Sequence, residues 1–109
     1  MESKSLFVKF MGDPPTIKIL DYLLTERELD FSITDMAENA GIGRATLYRI
    51  WGDLIENEII LHTRDIGKAK LYKLNVKNEK IKKLMDIYDM LVVEELRDRS
   101  ENQKIKITN

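Results

Sequence analysis

The stretch Ile33–Gly52, ITDMAENAGIGRATLYRIWG, decides the fold of this chain. Its small residues fall where two short helices that cross at a tight turn need them, because Ala37 lets the helices approach and Gly41 permits a turn with positive φ. The pattern is therefore typical of a helix-turn-helix, although an ordinary helical hairpin could have the same spacing. The residues expected to face inward are Met36, Ala40, Ile42, Leu47 and Ile50.

The second helix of this motif is predicted over residues 43–57, with Gly43 as a cap that is weaker than Ser or Asn would be. At helical spacing Leu47, Ile50, Trp51 and Leu54 face inward, so the opposite face meets solvent or a ligand. That face is either simply solvated or shaped for a major groove, where arginine offers a planar fork to guanine or phosphate. The outward residues are Ala45, Tyr48, Arg49 and Gly52, with Arg44 at their edge.

Length and composition fit one small soluble domain. The chain has 109 residues, of which 43% are hydrophobic and 34% charged, which is enough for a modest core. No run approaches the roughly 20 apolar residues that span a bilayer, and the start MESKSLFVKFMG lacks a signal-peptide cleavage site. Cysteine is absent, which excludes disulfides and thiolate metal sites. We therefore expect a cytoplasmic protein with no membrane segment.

Charge is unevenly distributed along the chain, although the net charge is only -1. Residues 61–77 carry five basic side chains and one acidic side chain, a net of +4. Residues 1–60 carry six basic and eleven acidic side chains, a net of -5. Because phosphate binding needs only a local basic element, the overall charge does not exclude a nucleic-acid partner.

The segments before the motif are predicted to be helical. Residues 3–11 indicate a short helix, and Pro15 suits the first turn of a second helix that contributes to the core. Ser32, followed by Asp35 three residues later, indicates the N-cap of the first motif helix.

The segments after the motif are predicted to form a hairpin. Strands are expected over Ile59–Arg64 and Ala69–Leu74, joined by the glycine-containing connection 65–68. Strict alternation would place Lys70 on the same face as the apolar Tyr72, so either Lys70 snorkels near the tip or the strand is bulged.

A helix, a helix-turn-helix and a basic hairpin in this order resemble the winged-helix transcriptional regulators of bacteria and archaea, in particular the ArsR-like and MarR-like groups. The likeness covers about residues 15–74. It implies an α+β, mostly helical fold and sequence-specific binding to double-stranded DNA. The matching residues are Ala37, Gly41 and Leu47 at the motif spacing, the run Gly43-Arg44-Ala45-Thr46, and Thr63-Arg64 through Lys70-Leu71-Tyr72 in the wing.

The chain also departs from these groups. Gly43 and Ala45 replace hydroxyl residues that often contact phosphate, and the absence of cysteine removes the thiolate sites of many metal-sensing members. We expect helix 43–57 in the major groove, with Arg44 reading a base, and wing residues 64–70 on the backbone or minor groove. The candidate DNA-binding residues are Thr34, Gly43, Arg44, Ala45, Thr46, Tyr48, Arg49, Arg64, Lys68 and Lys70.

Residues 78–99 are predicted to form a long helix with an apolar stripe, beyond a winged-helix domain at residues 1–77. The stripe could pack on its own domain, but pairing with the same helix of a second subunit is the better interpretation, because a two-fold dimer presents two recognition helices to successive major grooves. The polar tail 100–109 is expected to be disordered. The predicted dimer residues are Ile81, Leu84, Met85, Tyr88, Leu91, Val92 and Leu96.

Enzymatic interpretations have little support. His62 is the only histidine and lies in a basic strand, and Gly41-Ile42-Gly43 is too short for a phosphate loop. We therefore expect no enzyme, no metal and no cofactor. Two classes remain: a homodimeric DNA-binding regulator, or a winged-helix module that binds another protein, which the acidic first half favours slightly.

Overall fold

The structure, a computed structural model, describes residues 4–108, with side chains described up to residue 101. Five helices and one two-stranded antiparallel sheet follow one another along the described chain. In chain order they are α1 (Leu6–Met11), α2 (Pro15–Thr25), α3 (Ile33–Ala40), α4 (Arg44–Glu56), β1 (Ile60–Ile66), β2 (Ala69–Leu74) and α5 (Glu79–Thr108). This order confirms the predicted α+β, mostly helical architecture of a winged helix-turn-helix with a long C-terminal helix.

Helices α3 and α4 form the predicted helix-turn-helix. Ser32 caps α3, because its Oγ accepts a hydrogen bond from the Asp35 amide at 3.1 Å. Gly41 ends α3 in the left-handed conformation at φ 74°, which favours glycine. Gly43 is the N-cap of α4 and provides no side-chain hydrogen bond. The cap at the start of α3, the glycine at its end and the weak cap of α4 are therefore those that the sequence predicted.

The first helix is shorter than predicted. α1 begins at Leu6, because the Ser5 hydroxyl accepts the amide of Val8 at 3.1 Å and so caps the helix there. The predicted start at residue 3 lies outside the described residues. Pro15 occupies the first turn of α2, as expected from its fixed φ.

Strands β1 and β2 pair as the predicted wing, but β1 extends to Ile66 and the turn contains only Gly67 and Lys68. Gly67 has φ 60°, which a two-residue hairpin turn requires. A bulge in β1 leaves Thr63 unpaired between His62 and Arg64. Lys70 in β2 is exposed. The bulge lies in β1, not in β2, where the apolar pattern left a bulge as one alternative.

The core is a single apolar cluster beneath α4, and it includes α5. Ile81 and Tyr88 of α5 are 2% and 8% exposed, and the ring centroid of Phe7 lies 5.6 Å from that of Tyr88. The Thr25 and Tyr88 hydroxyls are hydrogen-bonded, which ties α5 to α2. The buried cluster comprises Phe7, Ile19, Leu20, Leu23, Leu24, Met36, Ala37, Leu47, Leu54, Ile60, Leu74, Ile81 and Tyr88.

Helix α5 continues to Thr108, whereas the sequence predicted its end near Arg99 and a disordered tail over 100–109. Residues 100–108 contain no glycine or proline, so nothing in the backbone chemistry stops the helix. Asn109 lies outside the described residues. Across residues 4–108, no helix combines the length and the apolar character that crossing a membrane requires.

Candidate nucleic-acid interface

Helix α4 has one face in the core and the opposite face in solvent. Leu47 and Leu54 are 0% and 1% exposed, whereas Tyr48 is 53% exposed. Trp51 lies at the border, where its ring centroid is 4.8 Å from that of Tyr72 in an edge-on contact. Because Tyr72 belongs to β2, this aromatic pair packs the wing against α4.

The cationic side chains of α4 lie in its first two turns. Arg44 and Arg49 are exposed, and the Arg44 guanidinium carbon lies 6.0 Å from the centre of the Tyr48 ring, within range of a cation–π contact. Gly43 leaves the amides of the first turn without a side-chain cap. Free amides and the positive end of the helix dipole favour an anion at this end.

The C-terminal half of the same helix has the opposite charge. Asp53 and Glu56 are exposed on α4, and the sequence analysis counted them only in the net charge of residues 1–60. At 100° per residue, Glu56 lies on the same side as Arg49 and Ala45. A polyanion is therefore attracted only to the first two turns, which limits how α4 can enter a groove.

The wing has two exposed lysines near its tip. Lys68 lies in the turn, and Lys70 pairs through its backbone with Asp65 on β1. Within the described part of the chain, neither lysine forms an ion pair. Both ammonium groups are therefore available to an external anion.

The third predicted wing cation, Arg64, is held by the protein itself. Its Nε and Nη2 donate to the two Asp30 carboxylate oxygens at 3.0 and 3.2 Å, and the Thr63 hydroxyl donates to the same carboxylate at 2.6 Å. These bonds lower the pKa of Asp30, first through Arg64 and then through Thr63. The next residue, Phe31, exchanges two backbone hydrogen bonds of 2.8 Å with Tyr72. Arg64 thus fastens the base of the wing to the segment before α3.

Replacing Asp30 by Asn should make the unfolding temperature less sensitive to acid. Because the folded-state pKa of Asp30 is lowered, its contribution to stability is present above the unfolded-state pKa, near 3.9, and is lost as the pH falls through the lower folded value. We expect the wild type to be the more stable protein at pH 7 and to lose more of its melting temperature between about pH 5 and pH 3. Parallel loss in both proteins would contradict this role for Asp30.

A cleft of about 340 Å³ opens between the start of α3, the exposed face of α4 and the wing. It brings together four of the predicted DNA-binding residues, which come from three separate elements: Thr34, Tyr48, Lys68 and Lys70. Ser32, Ile33, Ala69 and Tyr72 complete its walls. An extended anion lying in this cleft would meet a hydroxyl, a phenol and two ammonium groups.

The remaining predicted residues lie outside that cleft. Gly43, Arg44, Ala45 and Arg49 are exposed along α4, whereas Thr46 is half-buried. Arg64 is directed to Asp30, as described above. The predicted DNA-binding residues therefore lie in three places. Four line the cleft, others lie along the first half of α4, and Arg64 binds Asp30 and holds the wing.

Most residues of the predicted dimer stripe pack inside the single chain. Ile81 and Tyr88 belong to the core, and three further members pack against it: Leu84, Met85 and Leu91. Only Val92, at 36% exposure, and Leu96, at 57%, face solvent. The stripe of α5 therefore packs mainly on its own domain, which was the alternative to pairing with a second subunit.

A larger cleft of about 680 Å³ lies between α1, α2 and the end of α3. Several of its polar groups are already paired: Ser5 donates to Asp21 at 2.7 Å, Asn39 donates to Tyr22 at 2.9 Å, and the Lys4 ammonium group lies 2.7 Å from Asp13. Burial raises the pKa of Asp21. Among the described residues, no group of three or more potential metal ligands is assembled.

Comparisons with known proteins give similar folds but no matching family. No protein-family model matches the sequence, and neither does any curated protein. Solved structures do match. Rv0081 of M. tuberculosis is 25% identical, with 87% of this chain and 90% of that chain covered and a TM-score of 0.54.

Two further structures superpose at lower sequence identity. The adhesin competence repressor AdcR of Streptococcus pyogenes has a TM-score of 0.64 at 15% identity, over 91% of this chain and 74% of that chain. MepR, a transcription regulator of the Staphylococcus aureus multidrug efflux pump MepA, has a TM-score of 0.58 at 16% identity, over 93% and 78%. The chain therefore has a winged helix-turn-helix fold, as its resemblance to MarR-like regulators implied.

Proposed function

We propose that this protein is a sequence-specific regulator that binds double-stranded DNA as a homodimer. The N-terminal half of α4 enters the major groove, and Lys68 and Lys70 of the wing contact the backbone or the minor groove. The C-terminal helix supplies the dimer contact. Arg44 reads a base, and Arg49 holds a phosphate.

One observation carries this proposal: side chains from α3, α4 and the wing converge on the same cleft, with the arginines of α4 beside it. Tyr48 belongs to both groups, since it lines the cleft and lies beneath Arg44. A recognition helix and a phosphate-binding surface need this continuity, because backbone contacts set the register in which base contacts are made. AdcR is a repressor and MepR is a transcription regulator, which agrees with this function.

The test is binding to random-sequence duplex DNA at several salt concentrations. Phosphate contacts release counterions, so the logarithm of the affinity should fall linearly with the logarithm of salt concentration, by about 0.9 for each phosphate neutralised. With Arg49, Lys68 and Lys70 on phosphates, we expect a slope of about -3 per protomer. Binding that is absent, or that does not respond to salt, would contradict the proposal.

The alternative is a winged-helix module that binds a protein partner. The exposed Asp53 and Glu56 on α4 favour it, since carboxylates near a DNA backbone are repelled. A double variant, Asp53→Asn with Glu56→Gln, separates the two functions. It should strengthen DNA binding if α4 approaches phosphates and should leave it unchanged if α4 does not.

Replacing Lys68 by Ala should weaken binding to all duplexes by a similar factor and flatten the salt slope by about one unit. The reason is that Lys68 lies at the wing tip without an internal partner and can contact only phosphate or the minor groove. Lys9→Ala is a matched control, because Lys9 is an exposed lysine on α1, away from the cleft. Equal slopes for Lys68→Ala and the wild type would mean that the wing stays off the DNA.

A further inference from the structure

The end of α4 and the start of α5 are joined by two asparagine side chains. The Nδ2 atom of Asn78 donates to the carbonyl oxygens of Asn57 and Glu58, at 3.2 and 3.0 Å. The Nδ2 atom of Asn75 donates to the same Glu58 carbonyl at 3.1 Å. Among the described residues, no other side-chain hydrogen bond connects α4 or its C-cap with α5 or residues 75–78. We call these three bonds the α4–α5 junction.

Asn78 also begins α5. Its Oδ1 atom accepts the Lys80 amide at 2.9 Å, and its backbone carbonyl accepts the Lys82 amide at 2.9 Å, so Asn78 is the N-cap of the helix. A primary amide is the group that this position needs, because one of its atoms must donate to two carbonyls while the other accepts an N–H. One side chain thus caps α5 and holds the end of α4.

The backbone that accepts these bonds has an uncommon conformation. Glu58 has φ 55°, and among the described residues it is the only one other than glycine with a positive φ. A residue with a Cβ seldom adopts this left-handed conformation, which persists where neighbouring contacts enforce it. Two of the three junction bonds end on the Glu58 carbonyl. The turn after α4 is therefore held in one conformation by the junction and is not a free hinge.

Farther along the chain, α5 is attached to α1 and to the region of α2. Tyr88 contacts Phe7 of α1 and the hydroxyl of Thr25 in α2. The Asp89 carboxylate binds Arg27, which follows α2, at 2.8 and 3.2 Å. These contacts hold the middle of α5 on the body of the domain. The junction is the place where polar contacts of α5 reach the recognition helix.

The junction lies at one end of α4, and the arginine that we expect to read a base lies at the other. Arg44 begins the helix and Asn57 caps its end, so at 1.5 Å per residue the two are about 20 Å apart. A rotation of about 10° at the junction would move Arg44 by about 3.5 Å, close to the rise of about 3.4 Å between base pairs. A small change in the angle between α4 and α5 therefore changes the register of α4 on DNA.

We propose that Asn78 is a positioning residue, which fixes the angle between the recognition helix and the C-terminal helix and so sets the half-site spacing that the protein accepts. This inference rests on the proposed function, in which α5 holds two subunits together and each α4 reads one half-site. Asn78 acts through the carbonyls of Asn57 and Glu58 and not through a contact with DNA. Loosening the junction should therefore relax the spacing while leaving the reading of a single half-site intact.

The test uses the full chain and the variant Asn78→Asp. Aspartate keeps an acceptor for the Lys80 amide, so α5 stays capped, but it replaces the Nδ2 donor by a carboxylate oxygen that faces two carbonyls. Asn57→Asp is the matched control, because it makes the same change beside the junction, where the side chain donates to the Asp53 carbonyl within α4 at 2.9 Å. Circular dichroism verifies that both variants keep their helix content.

Affinity is measured for duplexes built from the half-site that a randomised selection with the wild type returns. One duplex contains a single half-site. The others contain two half-sites, at the best spacing and at spacings one base pair shorter or longer, which rotates one half-site by about 34° and shifts it by about 3.4 Å.

We expect the wild type and Asn57→Asp to lose about tenfold or more in affinity when the spacing changes by one base pair, and Asn78→Asp to lose about threefold or less. On the single half-site, the two variants should bind within about twofold of each other. A spacing preference in Asn78→Asp as sharp as in the wild type would overturn the proposal. Weaker binding of Asn78→Asp to the single half-site, with the spacing preference kept, would also overturn it, because Asn78 would then only support the structure of α4.

A second measurement needs no DNA. Because the chain contains no cysteine, spin labels attach only to introduced residues, here at the exposed positions Ala45 of α4 and Asp86 of α5. Pulsed electron paramagnetic resonance, on labelled protein diluted with unlabelled chain, gives the distribution of distances between the two helices. The distribution should be broader in Asn78→Asp than in the wild type and in Asn57→Asp. Equal widths in all three would overturn this inference alone, whereas a wild type that binds no DNA would overturn the proposed function and the spacing role together.

Discussion

Replacing Arg44 by Ala is expected to cost about 1–3 kcal/mol in binding to the preferred DNA site and to relax the preference at one position of each half-site. Arg44 leaves the first turn of α4, where side chains reach base edges most easily. Its contact with the Tyr48 ring holds the guanidinium over the exposed face before DNA arrives. The measurement is a randomised-site selection, followed by titration of the best site.

Arg49 is the matched control for this prediction. It lies on the same exposed face, about one and a half turns further along, where we expect a phosphate contact. Arg49→Ala should therefore weaken binding to all sequences and leave the preferred site unchanged. If both variants keep the wild-type preference and affinity, α4 does not read sequence, and the protein-interaction module becomes the better explanation.

The helix-turn-helix could be predicted because its determinants are local. Ser32 caps α3 through its own hydroxyl, Gly41 supplies a backbone conformation that other residues disfavour, and Leu47 falls one turn into the next helix. The wing was equally accessible from the sequence, since Gly67 and the flanking β-branched and aromatic residues are short-range signals. Each of these features is decided within a few residues.

The role of Arg64 could not be predicted, because its partner is distant in sequence. Asp30 lies 34 residues away, and the two meet only when Phe31 pairs with Tyr72 beside the wing. A count of local charge treats Arg64 as free. In the structure it instead stabilises the position of the wing, which leaves Lys68 and Lys70 as the external cations.

Helix α5 shows a second limit of the same kind. Its periodicity identified correctly that one stripe is buried, but periodicity does not state which surface covers it. Contacts with three other side chains show that the stripe is covered by its own domain. Phe7 of α1 and Thr25 of α2 contact Tyr88, and Arg27, after α2, binds Asp89. The apolar side chains outside this stripe, such as Met90 and Val93, are the exposed ones on α5.

Replacing Ile81 by Ala should therefore unfold the chain more easily rather than only separate two subunits. Ile81 is 2% exposed and belongs to the central apolar cluster, so the truncation removes buried surface and leaves a cavity. Such changes cost about 2–5 kcal/mol of unfolding free energy. Chemical denaturation at a protein concentration low enough to keep the chain monomeric measures this cost without a contribution from dimerisation.

Met90→Ala serves as the control on the same helix. Met90 is 69% exposed on α5, the helix that the proposed dimer uses, so its truncation should change the unfolding free energy of the monomer by about 0.5 kcal/mol or less, while weakening the dimer. The two substitutions thus separate the two faces of α5, because one affects the free energy of unfolding and the other the association constant. The reverse result, with Ile81→Ala affecting only association, would show that the stripe faces a second subunit after all.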